Sequence, residues 1–425
     1  MIAGNARIVA PRIGTRVNKE RRRDRVSVTY IRSAAEQGAR WRTRISRWWA
    51  AMTRDREPLM SAECASSGRI LEIACDESGY EGDKLIGTTT DVFAHASVQL
   101  SGEAAEDCIR ELRGRIGSPA TEYKANHILR EKSRPALEWL FGPSGPLRGT
   151  AKVQLIDKAF FVVGKVLDLL VERVGHPASI GLHQDRQAKA TAVTLYRDGR
   201  RAFSREQWGK FLVSANNLMR VKSRGDVRVL VDAFFHSVGA LRLAGAPERV
   251  EETLARLVQA RPQADALRAH FLDDPRRIPV ADPLVPAIVE AIDHWSGGGS
   301  TVRVVHDQQN SLSGERIAQI KEIFGHPDPT LLGYVPTGSL ADLALVDSLS
   351  DPRVQVADFL AGVARKIASD ELNNRGTPEL TALLRPYVNP HSVWGDDRSW
   401  ALLKPASSFR LAEDGPGLVP RERSR

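Results

Sequence analysis

Arg69-Ile70-Leu71-Glu72-Ile73-Ala74-Cys75-Asp76-Glu77-Ser78-Gly79 is the stretch whose reading decides the fold of this chain. Ile70 to Cys75 is mostly apolar and of strand length, and it ends on two carboxylates followed by a Ser-Gly pair. Carboxylates at the mouth of a strand entering a core are costly unless something positive meets them. A divalent metal is one such partner. Asp-Glu-Ser-Gly is equally good turn chemistry, since Asp and Ser bond local backbone and Gly takes positive φ. The sequence leaves both readings of the quartet open. A regular strand points Glu77 away from Asp76, which makes Asp76 the central candidate and Glu77 an orienting neighbour.

Working outward, a second strand over Asp91–Val98 follows a turn holding Gly79, Gly82 and Gly87, so the two are expected to pair antiparallel. A helix near 102–115 stops at Gly117-Ser118-Pro119, and Thr121-Glu122-Tyr123-Lys124 is a short extended segment. A helix near 132–141 stops at Gly142-Pro143, Ala151–Asp157 reads as a strand, and 159–174 as a helix. From 176 to 280 strand patterns are scarce, and helical periodicity recurs at 205–220, 227–244, 248–259 and 263–271 between Pro and Gly breaks. Pro283–Trp295 is a core helix, Thr301–Asp307 a strand and Gly314–Phe324 a helix; a short strand at Ala341–Asp347 precedes an apolar helix over 353–369. Trp394 and Trp400 are expected to pack as part of a closing flap.

Antiparallel strands first, then alternating helix and strand, predict an α/β fold: a mixed sheet flanked by helices, with a mainly helical insertion. That is the general layout of a ribonuclease H-like domain, and other α/β folds share it. The expected organisation is a basic, disordered extension over 1–66, a first part of the core over 67–175, the insertion over 176–280, a second part of the core over 281–375, and a C-terminal flap and tail over 376–425.

With 42% apolar and 27% charged residues, the 425-residue chain has ordinary globular composition. No apolar stretch reaches membrane-spanning length: the nearest, Ala159 to Val174, carries Lys165, Asp168, Glu172 and Arg173. Cys64, Cys75 and Cys108 show no metal-binding spacing and cannot all pair, so the expected compartment is reducing and cytoplasmic. The net charge of +9 is unevenly placed. Residues 1–57 hold 15 Lys/Arg against 5 Asp/Glu, and the remainder holds 46 against 47. The leader reads either as an arm for nucleic acid or another anionic surface, with Trp41, Trp48 and Trp49 available for stacking, or as a translated upstream region, with Met52 or Met60 the true start.

Four acids stand out: Asp76, Glu122, Asp307 and Asp358. Asp76 and Asp307 each end a strand, where functional groups of open α/β sheets gather. Asp358 interrupts an otherwise apolar helix, with Gln355 and Gly362 at helical spacing beside it, and Asp disfavours such interiors. Glu122 and Lys124 are two apart, so an extended segment points both to one side; such a pair is more often a solvated or ion-paired edge. His306, beside Asp307, has no convincing set of additional histidines to join. Two carboxylates about 4 Å apart repel by roughly 4 kcal/mol at an effective dielectric of 20. Three or four must protonate unless cations neutralise them, and Mg²⁺ or Mn²⁺ suits oxygen ligands. Lys124 is placed to orient a phosphate or the attacking water.

These pieces in this order, Asp76-Glu77-Ser78-Gly79, Glu122-Tyr123-Lys124, His306-Asp307 followed by Gln308-Gln309-Asn310 and Ser311, then Gln355-Val356-Ala357-Asp358 with Gly362, carry a resemblance. Over about residues 69–366 the chain resembles the large bacterial family catalogued as domain of unknown function 3800, whose members resemble ribonuclease H-like nucleases. The resemblance implies a metal-dependent phosphodiesterase site at Asp76, Glu122, Asp307 and Asp358. Segment 176–280 and the leader lie outside it.

The expected function is metal-dependent hydrolysis of nucleic-acid phosphodiesters. Two other readings stand beside it: a noncatalytic binding or scaffold protein on a nuclease-like fold, and a phosphohydrolase of small phosphates, which the neutral body suits.

Overall fold

Alternation along the decisive stretch sets the two faces of the sheet, because a strand sends successive side chains to opposite sides. In the computed structural model, which describes residues 70–117, 128–171, 182–221, 227–273, 278–297, 299–325 and 336–406, this stretch is β1 (Ile70–Ser78). It is followed by β2 (Val92–Val98), α1 (Gly102–Ile116), α2 (Arg134–Phe141) after a 3₁₀ turn over Glu131–Ser133, and β3 (Ala151–Asp157). Six helices come next: α3 (Lys158–Leu170), α4 (Leu182–Ala202), α5 (Arg205–Met219), α6 (Val227–Ala244), α7 (Glu248–Gln259) and α8 (Arg261–Asp273). The chain then runs through α9 (Leu284–Trp295), β4 (Thr301–Asp307), α10 (Gly314–Gly325), β5 (Ser339–Val346), α11 (Pro352–Leu372), α12 (Pro378–Leu384) and α13 (Asp397–Leu403).

The five strands form one mixed sheet in the order β3-β2-β1-β4-β5. β2 runs antiparallel to both β1 and β3, whereas β4 is parallel to β1 and β5 parallel to β4. β1 is therefore the middle strand, covered on both faces, which explains its nearly continuous apolar run. All seven residues of β2 are buried for the same reason.

Each face has its own core. Ile73 and Cys75 of β1, Phe93 of β2, Ile156 of β3 and Val302 and Val304 of β4 pack with α3 to α10. Ala74 of β1, Val92, Ala94, Ala96 and Val98 of β2, Val153 and Leu155 of β3 and Val305 of β4 pack with α1, α2 and α11 to α13. α11 crosses β1, β2 and β3 and is buried along most of its length, with Gln355, Asp358, Arg365 and Ser369 forming a polar stripe along it. Pro352 starts it, and the Asp351 side chain caps it by accepting from Arg353 N at 2.9 Å.

The sequence-predicted strands form, with β5 beginning at Ser339 rather than Ala341. Helical periodicity had left out α4. Its described buried residues are Ala192, Leu195, Tyr196 and Gly199, with Val193 packed partly buried beside them, too little apolar signal in a segment this polar. In the C-terminal part, Val388 and Val393 bridge to Val153 and Ile156 of β3 and so cover the sheet edge. Trp394 is buried and donates to Ser399 Oγ at 2.9 Å, while Trp400 packs on the α11 side core. Residues 1–69, 118–127 and 407–425 lie outside the described residues, and with them the basic leader, Cys64 and the segment holding Glu122 and Lys124.

Candidate functional site

β1 and β4 run parallel and adjacent, so their carboxyl ends bring Asp76 and Asp307 to the same edge of the molecule. Parity puts both on one face: Asp76 continues the Ala74 side and Asp307 the Val305 side, the side covered by α11. α11 contributes Asp358 there, and Asp358 and Asp307 stand near enough for their charges to act on Asp76. Asp76 is only 6% exposed. Burial, then the charges of Glu77, Asp358 and Asp307, push its carboxyl up to about 9, while the Glu77 N–H donated to Oδ1 at 2.7 Å pulls the other way. The charged neighbours that raise it are all acids. Without a cation this cluster keeps Asp76 protonated at neutral pH, the outcome expected of converging carboxylates.

The loop after β5 is clamped into this site. Asp307 Oδ1 accepts from Ser348 N at 3.0 Å, and Gln355 Nε2 donates to Ser348 O at 2.8 Å. Gln355 thus ties the end of β4 to the first turns of α11 through one backbone unit. The other half of the quartet is structural. Ser78 Oγ accepts from Arg365 Nε at 2.9 Å, linking β1 to α11. Gly79 has φ +80°, and a Cβ there would lie 2.5 Å from Val92 O and 2.7 Å from Arg365 Cδ. The Asp and the Ser-Gly pair therefore do different jobs: a charge at the strand mouth, and a turn that only glycine fits.

Glu77 lies on the opposite face, because β1 pairs regularly with β2 as far as Ser78 opposite Ala94. There its Oε1 accepts from Gln309 Nε2, and its Oε2 is buried with no hydrogen-bond partner, 3.7 Å from His306 Nε2. His306 is fully buried, with Nδ1 3.0 Å from Asp307 O and Nε2 3.3 Å from Nε2 of His95. The two rings stack with centroids 5.4 Å apart. Burial, and then His306, hold His95 well below the usual histidine range, so it is neutral at pH 7. Sequence reasoning missed His95 and the use of Gln309. A histidine between Ala94 and Ala96 in a wholly buried strand was the available signal, and nothing in the spacing linked it to His306.

Of the sequence-predicted residues, the structure brings Asp76, Asp307 and Asp358 to one face with Gln355 beside them, and sends Glu77 and His306 to the other. Glu122 and Lys124 lie outside the described residues. Among the described residues no group of three or more His, Cys, Asp or Glu side chains is placed to hold a metal ion. The carboxylates on the α11 face are hard oxygen donors, the ligand type that Mg²⁺ and Mn²⁺ take, and Glu122 lies outside the described residues. No protein-family model, curated protein or solved structure matches the chain.

Proposed function

We propose that this protein is a metal-dependent nuclease whose site is the α11 face of the sheet at the carboxyl ends of β1 and β4. The observation that carries the reading is the convergence of Asp76, Asp307 and Asp358 from three elements far apart in sequence, with Asp76 buried among acids and pushed up to about 9. A mixed sheet with an antiparallel β1-β2-β3 half and a parallel β1-β4-β5 half, flanked by helices, supports the ribonuclease H-like reading and the resemblance to domain of unknown function 3800.

In this reading Asp76, Asp307 and Asp358, with Glu122, hold Mg²⁺ or Mn²⁺. The bound ion supplies charge neutralisation and activation of water for attack on a phosphodiester. Asp76 gives up its proton when the site is filled. Asp307 keeps its direction through Ser348 N, Gln355 keeps the loop against α11, and Arg365 fixes the Ser78 turn. Lys124 orients the phosphate. The proposed partner is nucleic acid, DNA or RNA, and the proposed location is the cytoplasm. Cys75 and Cys108 are buried free thiols, and among the described residues no helix is long and apolar enough to cross a membrane. The nearly neutral charge of residues 58–425 also suits a small phosphate substrate.

The test is cleavage of end-labelled single- and double-stranded DNA and RNA, beside mononucleotides and a generic phosphodiester, with Mn²⁺, Mg²⁺ or EDTA. The reading expects metal-dependent polynucleotide cleavage by the wild type and none by folded Asp76→Asn or Asp358→Asn. Turnover confined to the small substrates would move the protein to the phosphohydrolases. A folded wild type inert on every substrate would overturn the enzymatic reading.

A further inference from the structure

The polar stripe of α11 continues past Asp358. Gln355, Asp358, Gly362, Arg365 and Ser369 follow one another at helical spacing, so they share one face of the helix. Gln355 meets the loop after β5, Asp358 acts on Asp76, Arg365 Nε donates to Ser78 Oγ at 2.9 Å, and Ser369 Oγ donates to Asp91 Oδ1 at 2.6 Å. The site therefore changes sign along the stripe, from acids at β4 and β1 to a cation at the turn after β1. β3 runs parallel to β1, since each is antiparallel to β2, and so it delivers Lys158 to the same edge of the sheet. We propose that Arg365, backed by Lys158, forms a phosphate subsite that grips a non-scissile phosphate of the nucleic-acid strand whose scissile phosphate lies at the carboxylates. This rests on the nuclease reading, which it deepens.

Both cations converge on the Gly79 turn. A Cβ on Gly79 would stand 2.7 Å from Arg365 Cδ and 3.1 Å from Thr90 Oγ1, and that hydroxyl accepts from Lys158 Nζ at 2.7 Å. Thr88 Oγ1 accepts from the same ammonium at 3.3 Å. Arg365 is near enough for its charge to act on Lys158. Like charges so placed repel unless an anion joins them.

Among the described residues no carboxylate forms an ion pair with either cation; their side-chain partners are the hydroxyls of Ser78, Thr88 and Thr90. Asp91 is the acid whose charge reaches both, and its two oxygens accept from Ser369 Oγ and Asn373 Nδ2 instead. Glu81 also acts on Lys158, and Asp370 on Arg365, but Asp370 is paired with Lys366 and Arg375. Burial outweighs these acids at both groups, lowering Arg365 and taking Lys158 down to about 8. The turn is thus short of negative charge, as the carboxylates are short of positive charge.

Arg365 is the group that a ligand reaches. Lys158 is 1% exposed, whereas Arg365 is half-buried and uses only Nε on Ser78, which leaves both Nη groups as a planar fork for a phosphate. At 1.5 Å per residue Arg365 sits about 10 Å along α11 from Asp358, roughly three steps of a nucleic-acid strand at 3.4 Å per nucleotide. The turn is also held in advance. Asn216 of α5 accepts from Leu85 N at 2.9 Å and Ile86 N at 3.2 Å and donates to Asp83 O at 2.9 Å, and Arg220 pairs with Asp83 at 3.2 Å. The helical insertion thereby fixes the loop that carries Thr88 and Thr90, which lowers the ordering cost of binding.

The experiment measures binding of a length series of labelled oligonucleotides to the full-length protein in EDTA across a range of salt, with a mononucleotide and inorganic phosphate as competitors. KM and kcat for cleavage in Mn²⁺ are measured beside it. Arg365→Gln should bind the longer oligonucleotides about tenfold more weakly, with the salt slope smaller by about one, and should raise KM with kcat kept. Lys158→Gln should weaken binding by a smaller factor, and Lys210→Gln, at an exposed cation of α5, should change neither affinity nor slope. Circular dichroism reports folding. Should Arg365→Gln not fold, Arg365→Lys decides: it should keep the salt slope and lose about tenfold in affinity with the fork, and an unchanged affinity would overturn the proposal. So would wild-type affinity and slope in Arg365→Gln, an equal loss in Lys210→Gln, or a folded wild type that binds no oligonucleotide. A mononucleotide or inorganic phosphate held as tightly as the longest oligonucleotide would overturn the strand and put a lone phosphate on Arg365. Arg365-dependent binding without cleavage would remove the nuclease reading and keep the subsite; cleavage with KM unmoved in Arg365→Gln would do the reverse.

Discussion

On one face of the sheet Asp76, Asp307 and Asp358 meet as acids among acids; on the other, Glu77 meets His95 and His306. The same strands supply both groups, and adjacent residues, Asp76 with Glu77 and His306 with Asp307, are divided between them by parity alone. The difference lies in the counter-charge. The imidazole face carries its own nitrogen donors and can balance a carboxylate with a proton. On the carboxylate face, the neighbouring charges that raise Asp76 are those of Glu77, Asp358 and Asp307.

The comparison breaks first, and most strongly, in activity. Asp76→Asn or Asp358→Asn should lower metal-dependent phosphodiester cleavage by roughly 10³-fold or more, the scale expected for losing stabilisation of developing charge. Glu77→Gln, on the other face, should cost far less, about tenfold. Equal losses in all three variants, measured by single-turnover cleavage, would erase the distinction between the faces.

A substitution in the turn that joins β1 to α11 comes next. Gly79→Ala meets both a positive φ and the Val92 carbonyl, and should cost about 2–3 kcal/mol in urea denaturation. Removing the buried acid works in the opposite direction. Asp76 has its folded pKa raised, to about 9, so between the ordinary carboxylate range and that value the folded chain binds a proton that the unfolded chain has released. Its contribution to stability therefore falls as pH rises through that window. In EDTA at pH 8, Asp76→Asn should be more stable than the wild type by about 1–2 kcal/mol and should lose that part of the pH dependence. An Asn variant less stable than the wild type at pH 8 would show that the acid is not held under strain. The smallest effect is expected at Gln355→Ala. Loss of the bond to Ser348 should cost about 1 kcal/mol in thermal denaturation and raise hydrogen exchange in the loop before α11.

Much of this arrangement was legible in the sequence. The strand runs at 69–76, 91–98, 151–157 and 301–307 ended at turn residues or polar residues, and Asp358 betrayed itself as an acid in an apolar helix. The split between Asp76 and Glu77 followed from counting by twos along β1. What joins the pieces was not legible, because the parallel pairing of β1 with β4 brings together residues separated by the whole helical run from α3 to α9. His95 shows the same limit. A single histidine in a buried strand has no meaning until the strand order places it beside His306. α4 escaped notice because a polar helix with a narrow buried stripe carries little period to read.

The most direct test of the central claim, that Asp76, Asp307 and Asp358 await a hard divalent cation, is calorimetric titration of the metal-free protein with Mn²⁺ at pH 7 in two buffers of different ionisation enthalpy. Binding should release about one proton from Asp76 in the wild type, and the release should disappear in Asp76→Asn. Binding with no proton release, or a folded wild type that does not bind Mn²⁺ at all, would contradict it.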